Sequence, residues 1–205
     1  MSLPDFQSAA QHAIHQLEDK LSTIYAYHSP WHTCEEVVGM AEHLAVLEGI
    51  DEEERILILT GAYYHDIGFT IQRENHELVG AQYAKSVLPR FGYSPNQMQV
   101  VEGIILATRI PQRPQNILEE IVADADLDSL GRTDWWGRNL ALRKEMALLG
   151  RNFTDKEWCE RQSGFLKQHH YFTASAKHLR DEQKQGNIHF LLARCQEACP
   201  EVNWS

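Results

Sequence analysis

The sequence predicts an all-α protein of about eight helices. Apolar residues recur at three- and four-residue steps in most segments, as they do on the buried face of a helix. Several segments begin with a capping pattern, in which Ser, Thr, Asp or Asn is followed three residues later by Glu or Gln. No stretch combines sustained apolar and polar alternation with many β-branched residues, which is the pattern of a half-buried strand. The chain therefore carries the signals of helices and lacks those of a sheet.

The first two predicted helices flank a turn. Apolar residues spaced for one helical face predict a helix over residues 5–26. Pro30 interrupts the pattern, because proline disfavours helical geometry in the residue before it. Thr33 and Glu36 have the spacing of a capping box and predict the start of a second helix. The turn therefore delivers His32 to the beginning of that helix.

The third helix ends in a polar pair. It begins at Asp51, is apolar over most of its length, and closes with His65-Asp66. An imidazole and a carboxylate at the inner end of an apolar helix must be paired or otherwise satisfied when water is removed. A divalent cation satisfies both groups at once, so the pair is a candidate metal site.

The later helices follow from the same signals. A helix over about residues 75–91 carries His76-Glu77 in its first turn, and Ser94-Pro95 starts the next one. An apolar helix that begins at Asn116 ends in the aspartates Asp124, Asp126 and Asp128. These three point in different directions on a helix, so only one of them is expected to face a metal. Further helices are predicted over residues 133–149, 154–171 and 174–199.

Composition and charge exclude several classes of protein. The chain has 205 residues, of which 43% are hydrophobic and 23% charged, as in an ordinary globular domain. Its formal net charge of -10 lacks the positive field that non-specific polynucleotide binding requires. No stretch approaches the roughly 20 apolar residues of a membrane span, and no export signal is visible, so a cytoplasmic location is expected. The four cysteines have no paired metal-ligand spacing and are predicted to be reduced thiols.

The order of the polar motifs resembles that of the HD-domain metal-dependent phosphohydrolase family. His32, the adjacent pair His65-Asp66, and Asp126 occur in the order of the family's ligands, with similar sequence around each of them. The resemblance implies that these four residues bind one divalent ion. Imidazole and carboxylate ligands suit manganese, iron, nickel or zinc, and carboxylate oxygen also suits magnesium. Thr108 stands where relatives place a further histidine for a second metal, so a site with one metal is expected.

The resemblance also implies a fold and an activity. It covers residues 27–132 and implies an HD-domain helical bundle, with residues 1–205 as a single domain and 133–205 as a C-terminal helical extension. A bound ion would activate a water and offset charge on a phosphoryl group. The leading hypothesis is a phosphohydrolase acting on a small phosphate ester, with a nucleotide as the favoured substrate. The alternative is a catalytically silent HD-fold module that senses a nucleotide or binds a protein partner, with a structural metal.

Five further residues are candidates for contact with substrate. His76 and Glu77 are candidate acid and base groups or partners that orient a ligand imidazole, and the alternative is a plain role at a helix start. Arg73, Arg109 and Arg132 are candidate phosphate clamps, because a guanidinium matches phosphate oxygens in a bidentate way. Each of these arginines taken alone is more often a surface residue. The sequence leaves the oligomeric state open.

Overall fold

The computed structural model describes residues 3–202 and Trp204, and no strand is present among them. Within that part of the chain the α-helices are α1 (Phe6–Lys20), α2 (Val38–Leu47), α3 (Glu52–Tyr64), α4 (His76–Val87), α5 (Pro95–Ala107), α6 (Ile117–Asp126), α7 (Trp135–Leu148), α8 (Asp155–Gln168) and α9 (Ala174–Ala198). Shorter helical turns cover His32–Val37, Ile67–Thr70, Leu88–Phe91 and Asp128–Gly131. The predicted all-α class is confirmed, with nine α-helices in the described residues. None of these helices is both long and apolar enough to cross a bilayer.

Side-chain caps confirm three of the predicted helix starts. Ser94 forms a complete capping box at the beginning of α5. Thr154 and Glu157 do the same for α8. Asp51 accepts a hydrogen bond from the backbone N–H of Glu54 at 2.9 Å and so opens α3. These bonds satisfy amide groups that the first turn of a helix leaves without partners.

The predicted capping box at Thr33 is wrong. The residues His32–Val37 form a π-helical turn, and the hydroxyl of Ser29, rather than that of Thr33, accepts from the backbone N–H of His32 at its start, at 3.3 Å. Glu36 instead accepts a hydrogen bond from Nδ1 of His32 at 3.0 Å. The carboxylate of Glu36, which the capping-box pattern paired with a backbone amide, is therefore hydrogen-bonded to the imidazole of His32. The first helix, α1, also ends at Lys20 rather than at residue 26, because Leu21 adopts an extended backbone.

The chain divides into two compact units. The first consists of the residues up to Thr23 together with His28–Leu127, and it contains α1 to α6. The second consists of Ile24–Tyr27 together with the residues from Asp128 onward, and it contains α7 to α9. The predicted assignment of both parts to a single HD-type domain stays a prediction.

Helix α3 is the central helix of the first unit. It packs against α1, α2, α5 and α6, and most of its residues are buried. A Cβ added at Gly61 would lie 2.3 Å from the side chain of Ile104, so α3 and α5 are in close contact. The hydroxyl of Tyr64 donates to the carbonyl of Ala9 at 3.0 Å and ties the end of α3 to α1. The residues that follow α3 therefore begin deep in the core.

The second unit contains a disulfide that the sequence did not predict. Cys159 in α8 is bonded to Cys195 in α9, with the two Cα atoms 5.7 Å apart. The expectation that all four cysteines are reduced thiols is wrong for this pair, because the packing of α8 against α9 brings together residues 36 positions apart. Cys34 and Cys199 are free thiols, as expected.

Candidate metal centre

His65 and Asp66 leave the buried C-terminal end of α3. Their exposed fractions are 1% and 3%. Nδ1 of His65 donates to the carbonyl of Ala62 at 2.7 Å. Because a carbonyl oxygen only accepts, this bond places the proton of the neutral ring on Nδ1 and leaves the lone pair on Nε2. That Nε2 lies 3.2 Å from Oδ2 of Asp66.

His32 lies at the start of the π-helical turn, and its ring, like that of His65, is oriented by a hydrogen bond at Nδ1. Its Nδ1 donates to Oε2 of Glu36 at 3.0 Å, and its Nε2 lies 3.3 Å from Oδ1 of Asp126. The residue is 1% exposed. A carboxylate on the remote nitrogen of a metal-binding histidine fixes the ring and raises the basicity of the other nitrogen. Glu36 therefore holds the ring of His32 in an orientation in which Nε2 could bind a cation.

Asp126 completes the cluster from the last residue of α6. Its Oδ1 lies 3.3 Å from Nε2 of His32 and 3.6 Å from Nε2 of His65. His32, His65 and Asp66 each offer a ligand atom, and these atoms lie within 4.8 Å of one another. Three segments that are distant in sequence thus bring two imidazoles and two carboxylates together.

The donor set fits a divalent cation. Within the described residues, the buried atoms Nε2 of His65 and Oδ2 of Asp66 have no hydrogen-bond partner. A buried polar atom without a hydrogen-bond partner costs free energy. The unprotonated Nε2 of His65 and the carboxylate oxygen of Asp66 are both acceptors, so neither can satisfy the other. Both atoms are good ligands for first-row divalent ions. The residues His32, His65, Asp66 and Asp126 could therefore hold one such ion.

The carboxylates of the cluster control the pKa values of its histidines. Burial lowers the pKa of His32, but the hydrogen bonds to Asp126 and Glu36 outweigh burial and raise it. Burial likewise opposes the shift of His65, but the charges of Asp66 and Asp126 raise its pKa well above the usual value. Burial raises the pKa of Asp66, yet the neighbouring His65 lowers it overall. The site thus favours positive charge at its centre, and protons compete with a cation for it.

His76 and Glu77 lie beside this cluster, at the start of α4. Nε2 of His76 is 3.7 Å from Oδ1 of Asp66, and its Nδ1 is 3.6 Å from Oε2 of Glu77. The ring stacks on Phe69 with 3.8 Å between centroids. The ring of His28 lies 4.6 Å from that of Phe69. Burial lowers the pKa of His76, so its imidazole is kept neutral near pH 7.

Gly68 allows α4 to approach the cluster. A Cβ at this position would lie 1.9 Å from the carbonyl oxygen of His76. A side chain here would push the start of α4, and with it His76, away from Asp66. Gly68 follows the His65-Asp66 pair by two residues, and its structural role is this close approach.

The three candidate phosphate-binding arginines lie in different surroundings. Arg109 donates to Oδ1 of Asn75 at 3.2 Å, and Asn75 directly precedes His76. Arg73 lies two residues before Asn75, in the segment that precedes α4, and is partly exposed. Arg132 belongs to the second unit, where it forms an ion pair with Asp134. Contact of any of the three with a phosphate stays a prediction.

The residues that were not expected to bind the metal lie in other surroundings. Asp128 lies in the second unit and pairs with Arg180. Asp124 is 1% exposed and lies in α6, two residues before Asp126. The hydroxyl of Thr108 donates to the carbonyl of Ile105 at 2.9 Å, so it completes a helix end.

The all-helical bundle holds a buried, adjacent His-Asp pair next to His32 and Asp126, and His32, His65 and Asp66 could form a site for a divalent ion. The model of the HD domain family matches residues 31–129, a span that contains all four of these residues. No curated protein matches the sequence.

Two solved structures share the fold. A predicted HD superfamily hydrolase from an uncultured Thermotogales bacterium is 17% identical, with a TM-score of 0.62 and 91% of each chain covered. YpgQ of Bacillus subtilis, solved in complex with ADP, is 16% identical, with a TM-score of 0.60, and the match covers 95% of this chain and 97% of YpgQ. At this identity the two structures establish the HD-type helical fold.

Proposed function

We propose that the protein is a metal-dependent phosphohydrolase that cleaves a small phosphate ester, and that this ester is a nucleotide. The observation that carries the proposal is the convergence of His32, His65 and Asp66, with two buried ligand atoms that lack hydrogen-bond partners in the described chain. A divalent ion in such a site lowers the pKa of a bound water and offsets negative charge on a phosphoryl group. The match of residues 31–129 to the HD domain family supports the same chemistry.

The ligand residues are oriented before any ion arrives. The carbonyl of Ala62 fixes the ring of His65, and the carboxylate of Glu36 fixes the ring of His32. Two histidines and two carboxylates leave about two positions of an octahedral ion open, which suffice for a water and one phosphate oxygen. Each chain is therefore expected to bind one equivalent of metal. Manganese, iron, nickel, zinc and magnesium all suit the ligand types.

His76 is the best placed acid or base. Its lowered pKa leaves a lone pair on the neutral ring, its stacking on Phe69 limits its motion, and Glu77 lies near its other nitrogen. A neutral imidazole that faces the ligand Asp66 can accept a proton from a nucleophile or pass one to a leaving group. Arg109, held by Asn75 beside His76, would then contact phosphate oxygens.

Two observations support a nucleotide as the substrate. YpgQ, which shares the fold, was solved with ADP. The net charge of -10 disfavours a polynucleotide, because a long phosphate chain needs a positive surface. A small phosphate ester needs only the local positive charge of the metal and a few arginines. The cytoplasmic location stays a prediction.

The test is a phosphate-release assay on a nucleotide panel, with each candidate metal in turn and with and without chelator. Asp66→Asn keeps the shape of the side chain but removes a negative ligand, so turnover should fall by orders of magnitude while folding is preserved. The matched control is Asp19→Asn, which changes an exposed aspartate of α1. Wild-type protein that binds a nucleotide but releases no phosphate with any metal would support the silent sensor instead.

A further inference from the structure

The ring of His76 is held in a different way from the rings of the two ligand histidines. His32 and His65 each donate from Nδ1 to an acceptor, at 3.0 and 2.7 Å. The nitrogens of His76 lie 3.7 Å from Oδ1 of Asp66 and 3.6 Å from Oε2 of Glu77, and both distances are too long for a hydrogen bond. Within the described residues, no hydrogen bond therefore fixes the orientation of the His76 imidazole.

The contact that orients this imidazole is with Phe69. The two rings are stacked, with 3.8 Å between their centroids and 21° between their planes. The ring of His28 lies 4.6 Å from that of Phe69 and 6.4 Å from that of His76, so Phe69 is the ring that contacts both histidines. Because aromatic rings attract each other only in certain relative orientations, the stack restricts rotation of the imidazole.

Phe69 is itself fixed by the short turn Ile67–Thr70, which follows the metal ligands. Its backbone N–H donates to the carbonyl of Asp66 at 3.0 Å, and the residue is 7% exposed. The hydroxyl of Thr70 donates to the carbonyl of Ile67 at 2.8 Å within the same turn. The phenyl ring therefore stands three residues after a metal ligand, on a well-defined piece of backbone.

The neighbouring Gly68 fixes the backbone of His76 in the same region. The carbonyl of His76 lies where a Cβ of residue 68 would otherwise stand. Gly68 thus sets the distance of the first residue of α4 from the turn, and Phe69 sets the direction of its ring. The segment that supplies the ligands His65 and Asp66 therefore also determines the position of His76.

The stack leaves both nitrogens of His76 available. In His32 and His65 the hydrogen bond at Nδ1 leaves only Nε2 for another partner. The side chain of His76 is 20% exposed, compared with 2% and 1% for the two ligand histidines, so solvent reaches it. A ring that is held by its face can bind a substrate oxygen or exchange a proton at either nitrogen.

We propose that Phe69 is a positioning residue of the reaction, which orients the imidazole of His76 toward Asp66 by stacking and leaves both ring nitrogens for substrate and solvent. The inference rests on the proposed function, in which His76 is the acid or base. It assigns the phenyl ring to catalysis rather than to the core alone. Loss of the ring should therefore slow turnover without weakening metal binding.

The test compares Phe69→Leu and Phe69→Tyr with Phe91→Leu in the full chain. Phe91→Leu removes a phenyl ring that also contacts a histidine, His12 at 5.7 Å, outside the metal centre. The measurements are kcat and KM with manganese on the panel nucleotide that wild type hydrolyses fastest, and manganese affinity by titration calorimetry. In Phe69→Leu, kcat should fall at least about tenfold while KM and manganese affinity stay within about threefold. Phe69→Tyr keeps the stacked ring and, like the control, should stay within about threefold of wild type in kcat.

Proton NMR of the metal-free protein tests the orientation without turnover. Protons above the face of an aromatic ring resonate upfield, and the ring signals of His76 are assigned by their loss in His76→Gln. In Phe69→Leu these signals should lose their upfield displacement, whereas Phe69→Tyr should retain it. If Phe69→Leu does not fold, Phe69→Met provides the same comparison, because it also replaces the ring with a flexible apolar chain.

A merely structural role for Phe69 gives a different pattern. Phe69→Leu would then lose thermal stability while its folded fraction kept the wild-type kcat and His76 signals, and the inference alone would be overturned. A loss of manganese affinity as large as the loss of kcat would also overturn it, because Phe69 would then act on the ligands. Wild-type protein that releases no phosphate with any metal overturns the proposed function and this inference together.

Discussion

Replacement of Glu36 by leucine should weaken metal binding by one to two orders of magnitude. Glu36 and His32 form a hydrogen bond of 3.0 Å, and their side chains are only 5% and 2% exposed, so water cannot take over the bond. A hydrogen bond to a charged group contributes about 1.5–3 kcal/mol. At about 1.4 kcal/mol per factor of ten, its loss corresponds to roughly a 10- to 150-fold weaker affinity. Glu36→Gln keeps an acceptor without the charge and should lose about half of that free energy.

The assay is competition against a chromogenic chelator with manganese or zinc at fixed pH. Glu35→Leu and Glu35→Gln are matched controls, because Glu35 is the exposed neighbour of the buried Glu36 in the same turn. Both controls should bind as wild type does. If Glu36→Leu binds within about twofold of wild type while it remains folded, the orientation of His32 by Glu36 contributes nothing and the reasoning fails.

Three further predictions address the ligands, the pH and the packing. Asp126→Ala should retain no metal after gel filtration, whereas Asp124→Ala and the wild type should retain about one equivalent by elemental analysis; a wild-type value near two would refute the one-metal site. The pKa values of both histidine ligands are raised, so a metal ion must displace protons, and metal affinity should rise with pH and level off above those pKa values. In the metal-free protein, the two raised pKa values should stabilise the fold below pH 6.5, and this contribution should be lost as pH rises through them. Denaturation of the metal-free protein at several pH values measures this second effect. Gly68→Ala should destabilise the fold by about 1–3 kcal/mol in urea, because its Cβ would meet the carbonyl of His76, while Gly39→Ala, with nothing within 4 Å, should not.

The sequence predicted the fold because its signals are local. The capping boxes at Ser94 and Thr154 and the apolar face of α3 depend on residues within a few positions of each other, and these elements appear as expected. The adjacent pair His65-Asp66 was visible for the same reason, since a polar pair at the end of an apolar helix needs an explanation wherever the rest of the chain lies.

The features that the sequence did not reveal depend on contacts between distant residues or on backbone geometry. The bond between Cys159 and Cys195 requires α8 and α9 to pack in one register, which spacing alone does not encode. Glu36 fits a capping box and a histidine partner equally well by spacing, and only the π-helical turn decides between them. The proximity of His76 to Asp66, and the absence of a side chain at Gly68 that permits it, could be recognised only once the positions of α3 and α4 were known.

The π-helical turn fixes the length of the chain between a ligand and the core. The N–H of Val38 bonds to the carbonyl of Thr33, five residues back, so this turn holds one residue more than a turn of α-helix. Successive residues of a helix are rotated by about 100°. Deletion of a single residue here would therefore turn either His32 away from Asp126 or the apolar side of α2 away from the core. Unlike a surface loop, this segment tolerates neither an insertion nor a deletion, and an ungapped alignment with a relative that lacks the extra residue would pair the wrong positions of α2.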